Sequence, residues 1–171
     1  MKLEWLGKYR ELVGLIYRSA NAYSALCKTE GLGDNIKISP YEVQILEFIM
    51  EYENENNNMT WFANKMGIST STYSKYVNRL VTKGMVEKYR TTGNKKNIVL
   101  RVSPLGQQEY RKYAEYAEKT WFHQLFEKLD SVPPEHLETF KDLVKIWGGW
   151  YLKFLTDEEE QVKLLKVERK A

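Results

Sequence analysis

The stretch "ISTSTYSKYVNRLVTKGMV", Ile68 to Val86, decides the fold. Ser69 has the short hydroxyl side chain that caps a helix N-terminus, and Tyr73, Val77 and Leu80 follow at i, i+4 and i+7, the spacing of one buried helical stripe. Lys83-Gly84 supplies the stop. The face opposite that stripe carries Thr70, Ser71, Thr72, Ser74, Lys75, Asn78 and Arg79, and no Asp or Glu occurs between Thr60 and Val86. Any amphipathic helix shows water a polar face, but such faces ordinarily mix both signs of charge. This one does not.

The neighbours extend the pattern. Upstream, "ENENNN" (Glu53 to Asn58) reads as a surface turn whose last Asn caps a short helix from Thr60 to Met66, closed by Gly67. Before it, "ISPYEVQILEFIMEYE" from Ile38 has Ser39 as N-cap, Pro40 in the first turn and Glu42 at the capping-box position, with Ile45, Leu46, Ile49 and Met50 as the buried stripe. Downstream, "MVEKYR" and "NIVLRV" favour β-structure, joined by "TTGNKKN", whose Gly93-Asn94 pair suits a hairpin turn. Ser103-Pro104 then starts a long helix that keeps three-four spacing to Leu129, and "DSVPP" breaks it. A last helix carries Leu137, Phe140, Val144, Trp147 and Tyr151, with Gly148-Gly149 as a pair that can loosen or kink it, since glycine is a poor helix former. The first helix runs from Leu3 to about Cys27 and shows Leu12, Leu15, Ile16, Tyr23 and Leu26 on one side; the turn signals of Gly31 to Asp34 follow.

Charge is distributed unevenly. Of the 26 basic and 23 acidic residues, nine basic and one acidic fall between Thr60 and Ser103, so this segment is +8 and the remainder −5. A field divided in this way points to a polyanion. The chain has one cysteine, Cys27, and no signal-peptide pattern, which fits a reducing cytoplasm and excludes an internal disulfide framework. No uncharged run reaches ten residues, so no membrane span is expected. No nucleophile–base pairing, metal-ligand spacing or phosphate loop is present, so no enzyme, cofactor or metal is expected; His123 and His136 read as structural.

Two short helices with a tight glycine turn, followed by a basic hairpin, describe a winged helix-turn-helix. A helix entering a DNA groove about 12 Å wide and lined by phosphates excludes acids and favours short hydrogen-bonding side chains near its N-terminus. On this reading Ser71, Thr72, Ser74 and Lys75, with Thr70 beside them, meet base edges or nearby phosphates. Asn78, Arg79 and the wing residues Lys95 and Lys96 set the protein on the backbone and wing groove. The competing reading from another class is a winged-helix protein-interaction module without DNA binding.

Met66 to Leu80 ("MGISTSTYSKYVNRL") resembles the pattern Leu-Gly-Leu-Ser-x-Ser-Thr-Val-Ser-Arg-Leu-Val-Asp-Arg-Leu of the multiple-antibiotic-resistance regulator (MarR) family of transcription factors. Lys83-Gly84-Met85-Val86 is similar to its Lys-Gly-Leu-Val, and Ile98 to Gly106 to its second wing strand and following Thr-x-x-Gly. Two departures stand out. Asn94-Lys95-Lys96 replaces the family's wing-tip Asp-Arg-Arg, turning a fork-shaped arginine contact into a point charge, and aromatic Tyr73 and Tyr76 stand where aliphatic residues are usual.

The resemblance, which covers roughly residues 39 to 154, implies a mainly α fold with a small β-hairpin wing. A winged helix-turn-helix (37–103) would be inserted between an N-terminal dimerisation helix and loop (1–36) and C-terminal dimerisation helices (104–155), with a charged tail at 156–171. It implies a homodimer in which the first, fifth and sixth helices interlock over a pseudo-palindromic operator in double-stranded DNA, most simply as a repressor. Tyr110, Tyr113, Trp121, Phe122, Phe140, Trp147 and Trp150 would be core or dimer interface, or in part line a pocket for a small aromatic effector of the kind the family often binds. Cys27 is either a buried thiol or, as in one branch of the family, a peroxide sensor.

Overall fold

In a computed structural model, the backbone is described for residues 4–29, 37–55, 57–91 and 94–164, and side chains for 5–29, 37–55, 57–90 and 98–149. The order is a 3-10 segment (Glu4–Tyr9), α1 (Arg10–Leu26), α2 (Pro40–Glu51), a 3-10 turn (Glu53–Glu55), α3 (Met59–Met66), α4 (Thr70–Thr82), β1 (Val86–Thr91), β2 (Asn94–Val102), α5 (Pro104–Ala117), a π-helical turn (Glu118–Phe122), α6 (His123–Asp130) and α7 (Pro134–Leu164). The expected mainly helical fold with one β-hairpin is what the chain adopts. The Gly31–Asp34 turn and Gly93 lie outside the described residues.

Local chemistry sets most of the boundaries. Ser39, Asn58, Ser69 and Ser103 each accept a backbone N–H from the first turn of the helix they cap, and at Ser39 the capping box is closed by Glu42. Gly67 (φ 68°) and Gly84 (φ 71°) occupy the left-handed region that ends α3 and turns the chain from α4 into the hairpin. In three places the outcome differs from the sequence expectation, one being the π-helical turn Glu118–Phe122 that interrupts the long helix after Ser103. The first helix is broken at Gly7 (φ 47°), so its first turns are 3-10 and the α-helix begins at Arg10. The last helix runs on through Gly148-Gly149 to Leu164 as one α-helix, so the two glycines do not interrupt it.

The core lies within the central lobe. Ile38, Ile45, Leu46 and Ile49 from α2 and its approach, Phe62 and Ala63 from α3, Tyr73, Val77 and Leu80 from α4, and Met85, Val86 and Leu100 from the hairpin form one buried cluster. The two strands are antiparallel, with Val86 opposite Val102 and a register shift between Arg90 and Thr91. At the hairpin's base, Ser103 Oγ donates to the Gly84 carbonyl (2.7 Å), and α5 starts so close to the chain that a Cβ on Gly106 would lie 2.3 Å from the Met85 carbonyl oxygen. The wing is thereby fixed to α5.

The flanking helices are buried far less. Tyr17 of α1 meets Trp147 of α7 edge-on at 5.5 Å, yet Leu12 and Leu15 on α1, Leu125 and Phe126 on α6, and Phe140, Leu143, Val144 and Ile146 on α7 are all exposed. Of the aromatics read as core or interface, Tyr110, Tyr113 and Trp121 pack against the lobe core, Phe122 and Phe140 are exposed, and the Trp150 side chain lies outside the described residues.

The two aromatic departures are both accommodated by stacking. Tyr73 stacks on Phe62 (5.9 Å, 4° between planes) and Tyr76 on Tyr41 (4.9 Å, 10°). Tyr73 is fully buried, its hydroxyl has no hydrogen-bond partner, and burial pushes its pKa above the usual tyrosine range. An orphaned buried hydroxyl costs about 1–3 kcal/mol. Tyr73→Phe keeps the stack and removes that cost, so its urea midpoint should equal or exceed the wild type's at matched protein concentration; a loss above about 1 kcal/mol would show that the hydroxyl has a partner.

Candidate nucleic-acid interface

α4 is held by its inner face and presents its outer one. Tyr73, Val77 and Leu80 have no exposed surface, while Ser71, Lys75 and Asn78 are exposed and Thr70, Thr72, Ser74 and Arg79 half-buried. At the N-terminus three hydroxyls share one hub. Ser69 Oγ accepts from the Thr72 N–H (3.2 Å), donates to Thr72 Oγ1 (2.9 Å) and lies 2.9 Å from Ser71 Oγ. A serine hydroxyl has one proton, and with that proton on Thr72 the bond to Ser71 must be donated by Ser71. Ser71 is then left with lone pairs to accept and Thr72 with an O–H to donate. This end of a 13-residue helix, with no acid in its first turn, favours an anion.

The far end of α4 is anchored by charge. Glu42 on α2 is wholly buried, and one carboxylate oxygen accepts from Ser39 N–H at 2.8 Å. Lys83 Nζ donates to both carboxylate oxygens at 2.8 Å and to the Lys37 carbonyl at 2.9 Å. Arg79 Nε lies 3.6 Å from the same carboxylate, and its guanidinium sits 5.6 Å from the Tyr76 ring centre. Arg79 is thus shared between the inner anchor and the helix surface, which its position on the polar face did not foretell.

The wing contributes its own pairs. Lys88 Nζ reaches Asn78 Oδ1 on α4 at 2.6 Å, Arg101 Nε pairs with Glu53 at 3.2 Å, and the Tyr89 hydroxyl donates to Glu87. Glu42 and Glu53 both come from outside the +8 segment, so Arg79, Lys83 and Arg101 are partly neutralised by acids that a linear charge count leaves out. Lys75 and Lys88 keep their charge on the exposed side. Lys95 and Lys96 lie on β2, and their side chains are outside the described residues. Sequence reasoning missed Lys88; its place one residue after the wing's only acid was the available signal.

A second polar cluster sits where α1, α2 and α5 meet. The Gln44 amide donates to the Tyr23 hydroxyl, Tyr110 donates to Glu47 (3.1 Å), and burial pushes the Glu47 carboxyl up against the opposing effect of that bond. Cys27 is buried beside Tyr23, and desolvation raises its thiol pKa despite the Tyr23 hydrogen bond. That is the opposite of the lowered pKa a sensing thiolate needs. Among the described residues, no three of His, Cys, Asp and Glu gather as a metal site, and His123 pairs at the surface with Glu127 (3.4 Å). No helix among the described residues is long and apolar enough to cross a membrane.

The helix-turn-helix with its fixed wing coincides with a family match: the model of the MarR family covers residues 38–98. Over this segment the chain is similar to the MarR family. The MarR family comprises winged-helix transcription regulators rather than enzymes. A sequence search of curated proteins finds no match. Solved structures similar over most of the chain include FabT of Streptococcus pneumoniae in complex with DNA (TM-score 0.60, 16% identity, 88% of this chain and 99% of that one). The PcaV transcriptional regulator of Streptomyces coelicolor, with its natural ligand, is similar at TM-score 0.59 (16% identity; 84% and 94%). The transcriptional regulator BldR of Sulfolobus solfataricus is similar at 0.57 (21%; 85% and 98%). At these identities the likeness establishes the fold, and it extends beyond the matched segment to the flanking helices.

Glu42→Gln keeps the size of the anchor and leaves Lys83 without its counter-charge. Breaking a fully buried pair costs about 3–5 kcal/mol, and because Lys83 is partly exposed the expected loss is smaller, about 2 kcal/mol, read from urea unfolding. A loss below about 0.5 kcal/mol would mean that the carboxylate does not hold α4.

Proposed function

We propose that this chain is a dimeric, sequence-specific DNA-binding regulator that acts by occupying a promoter, most simply as a repressor. The observation that carries the reading is the outer face of α4, acid-free and rigidly supported, with the hairpin locked beside it. Ser71, Thr72, Ser74 and Lys75, with Thr70 at the helix start, meet base edges or adjacent phosphates. Asn78, Lys95 and Lys96 hold the backbone and wing groove. Arg79 adds less, since it is shared with Glu42 and Tyr76.

Dimerisation is supported by the apolar residues on α1, α6 and α7 that one chain leaves about half exposed. One lobe covers too little duplex for regulation-grade affinity, and two lobes related by a two-fold axis suit half-sites one helical turn apart. FabT, similar in fold, is seen with DNA, which agrees with this reading. PcaV is seen with its natural ligand, and the Tyr23, Gln44, Glu47, Tyr110 and Tyr113 cluster at the α1–α2–α5 junction offers aromatic and polar groups suited to a small aromatic effector that would release the DNA.

Fluorescence anisotropy with a random-sequence duplex tests the reading against a protein-interaction module. Binding should weaken by about 100-fold between roughly 50 and 200 mM salt. Lys96→Ala should weaken binding to every sequence alike and lower the log–log salt slope by about two, one phosphate for each protomer of the dimer. No binding at low salt would refute DNA recognition, and an unchanged slope would remove Lys96 from the interface.

A further inference from the structure

The bond between Lys88 on β1 and Asn78 on α4 spans the seam between wing and recognition helix, and both residues are exposed. An ammonium carries donors only, so the atom facing Lys88 must be the carboxamide oxygen, whichever way the amide is drawn. With that oxygen turned to the wing, the other limb of Asn78 offers two N–H donors. Asn78 stands nine residues into α4 from its cap, past the N-terminal turns from which a recognition helix reads base edges, and there the acceptor at hand is a phosphate oxygen. The partner's neutrality matters as well. Lys83 and Arg101 face carboxylates, whereas the carboxamide leaves the charge of Lys88 intact beside the duplex.

We propose that Lys88 is a positioning residue for DNA binding: it clasps Asn78 so that the Asn78 amide N–H groups meet a backbone phosphate, and it couples the wing to α4 as one unit. This rests on the reading of α4 and the hairpin as a duplex-binding surface. A lysine that only touched phosphate by itself would make no use of Asn78.

The test is a double-mutant cycle in the full chain, with affinity for a random-sequence duplex at low salt measured for wild type, Asn78→Ala, Lys88→Ala and the double variant, and thermal midpoints recorded for all four. Asn78→Ala alone should weaken binding about fivefold, but less than about twofold once Lys88 is alanine. Lys88→Arg, which keeps charge and donors, should restore the full cost of Asn78→Ala. The four midpoints should agree, since both side chains are exposed. Equal costs of Asn78→Ala in the two backgrounds would overturn the clasp while leaving DNA binding in place, and so would coupling matched by the thermal midpoints, which marks a purely structural bond. Wild-type protein that binds no duplex would overturn the proposed function and the clasp with it.

Discussion

A single buried carboxylate, Glu42, holds the start of α2 to the end of α4. It closes the capping box with Ser39, takes both bonds from Lys83 and draws in Arg79. A buried charge is tolerated only when its oxygens are satisfied, and here each of them is. The geometry this enforces is specific. α4 cannot rotate about its axis without stranding Glu42, so the apolar edge of Tyr73, Val77 and Leu80 stays inward and the hydroxyl-rich edge outward. The same network fixes Lys83-Gly84, where the chain turns into the wing, and Ser103 and Gly106 then pin the hairpin's base to α5.

The anchor also sorts the basic residues of the middle segment. Those nearest the core serve the fold: Lys83 and Arg79 neutralise Glu42, and Arg101 meets Glu53. Those farther out, Lys75, Lys88 and Arg90 among the described side chains, remain as exposed positive charge on α4 and the wing. With the Glu42 pair buried beneath it, the outer face of α4 attracts a polyanion through its exposed lysines, because exposed charge acts over about a Debye length and a buried pair cancels at short range.

What is legible in the sequence is local. Caps at Ser39, Asn58, Ser69 and Ser103, glycine stops at Gly67 and Gly84, and the stripes of α2 and α4 depend on residues a few positions apart, so each shows directly in the order of side chains. Pairings between distant elements do not. Nothing near Arg79 or Arg101 in sequence announces Glu42 or Glu53, so the +8 segment reads as more fully exposed charge than it is. The same holds for the Lys88 bond to Asn78, which exists only because β1 runs beside α4. Glycine departs from its sequence reading in both directions: Gly7 breaks the first helix through its positive φ, while Gly148 and Gly149 stay helical inside a long element whose neighbouring turns sustain it.

On the proposed reading, the outer face of α4 and the wing meet duplex phosphates while the Glu42 anchor stays closed beneath them. Lysine acetylation footprinting of the full chain, with and without a random-sequence duplex at low salt, reads that directly. DNA should slow modification of Lys75, Lys88, Lys95 and Lys96 and leave Lys112, Lys141 and Lys145 on α5 and α7 unchanged, with Lys83 slow in both states. Protection confined to the α5 and α7 lysines, or a Lys83 that becomes reactive when DNA binds, would contradict it.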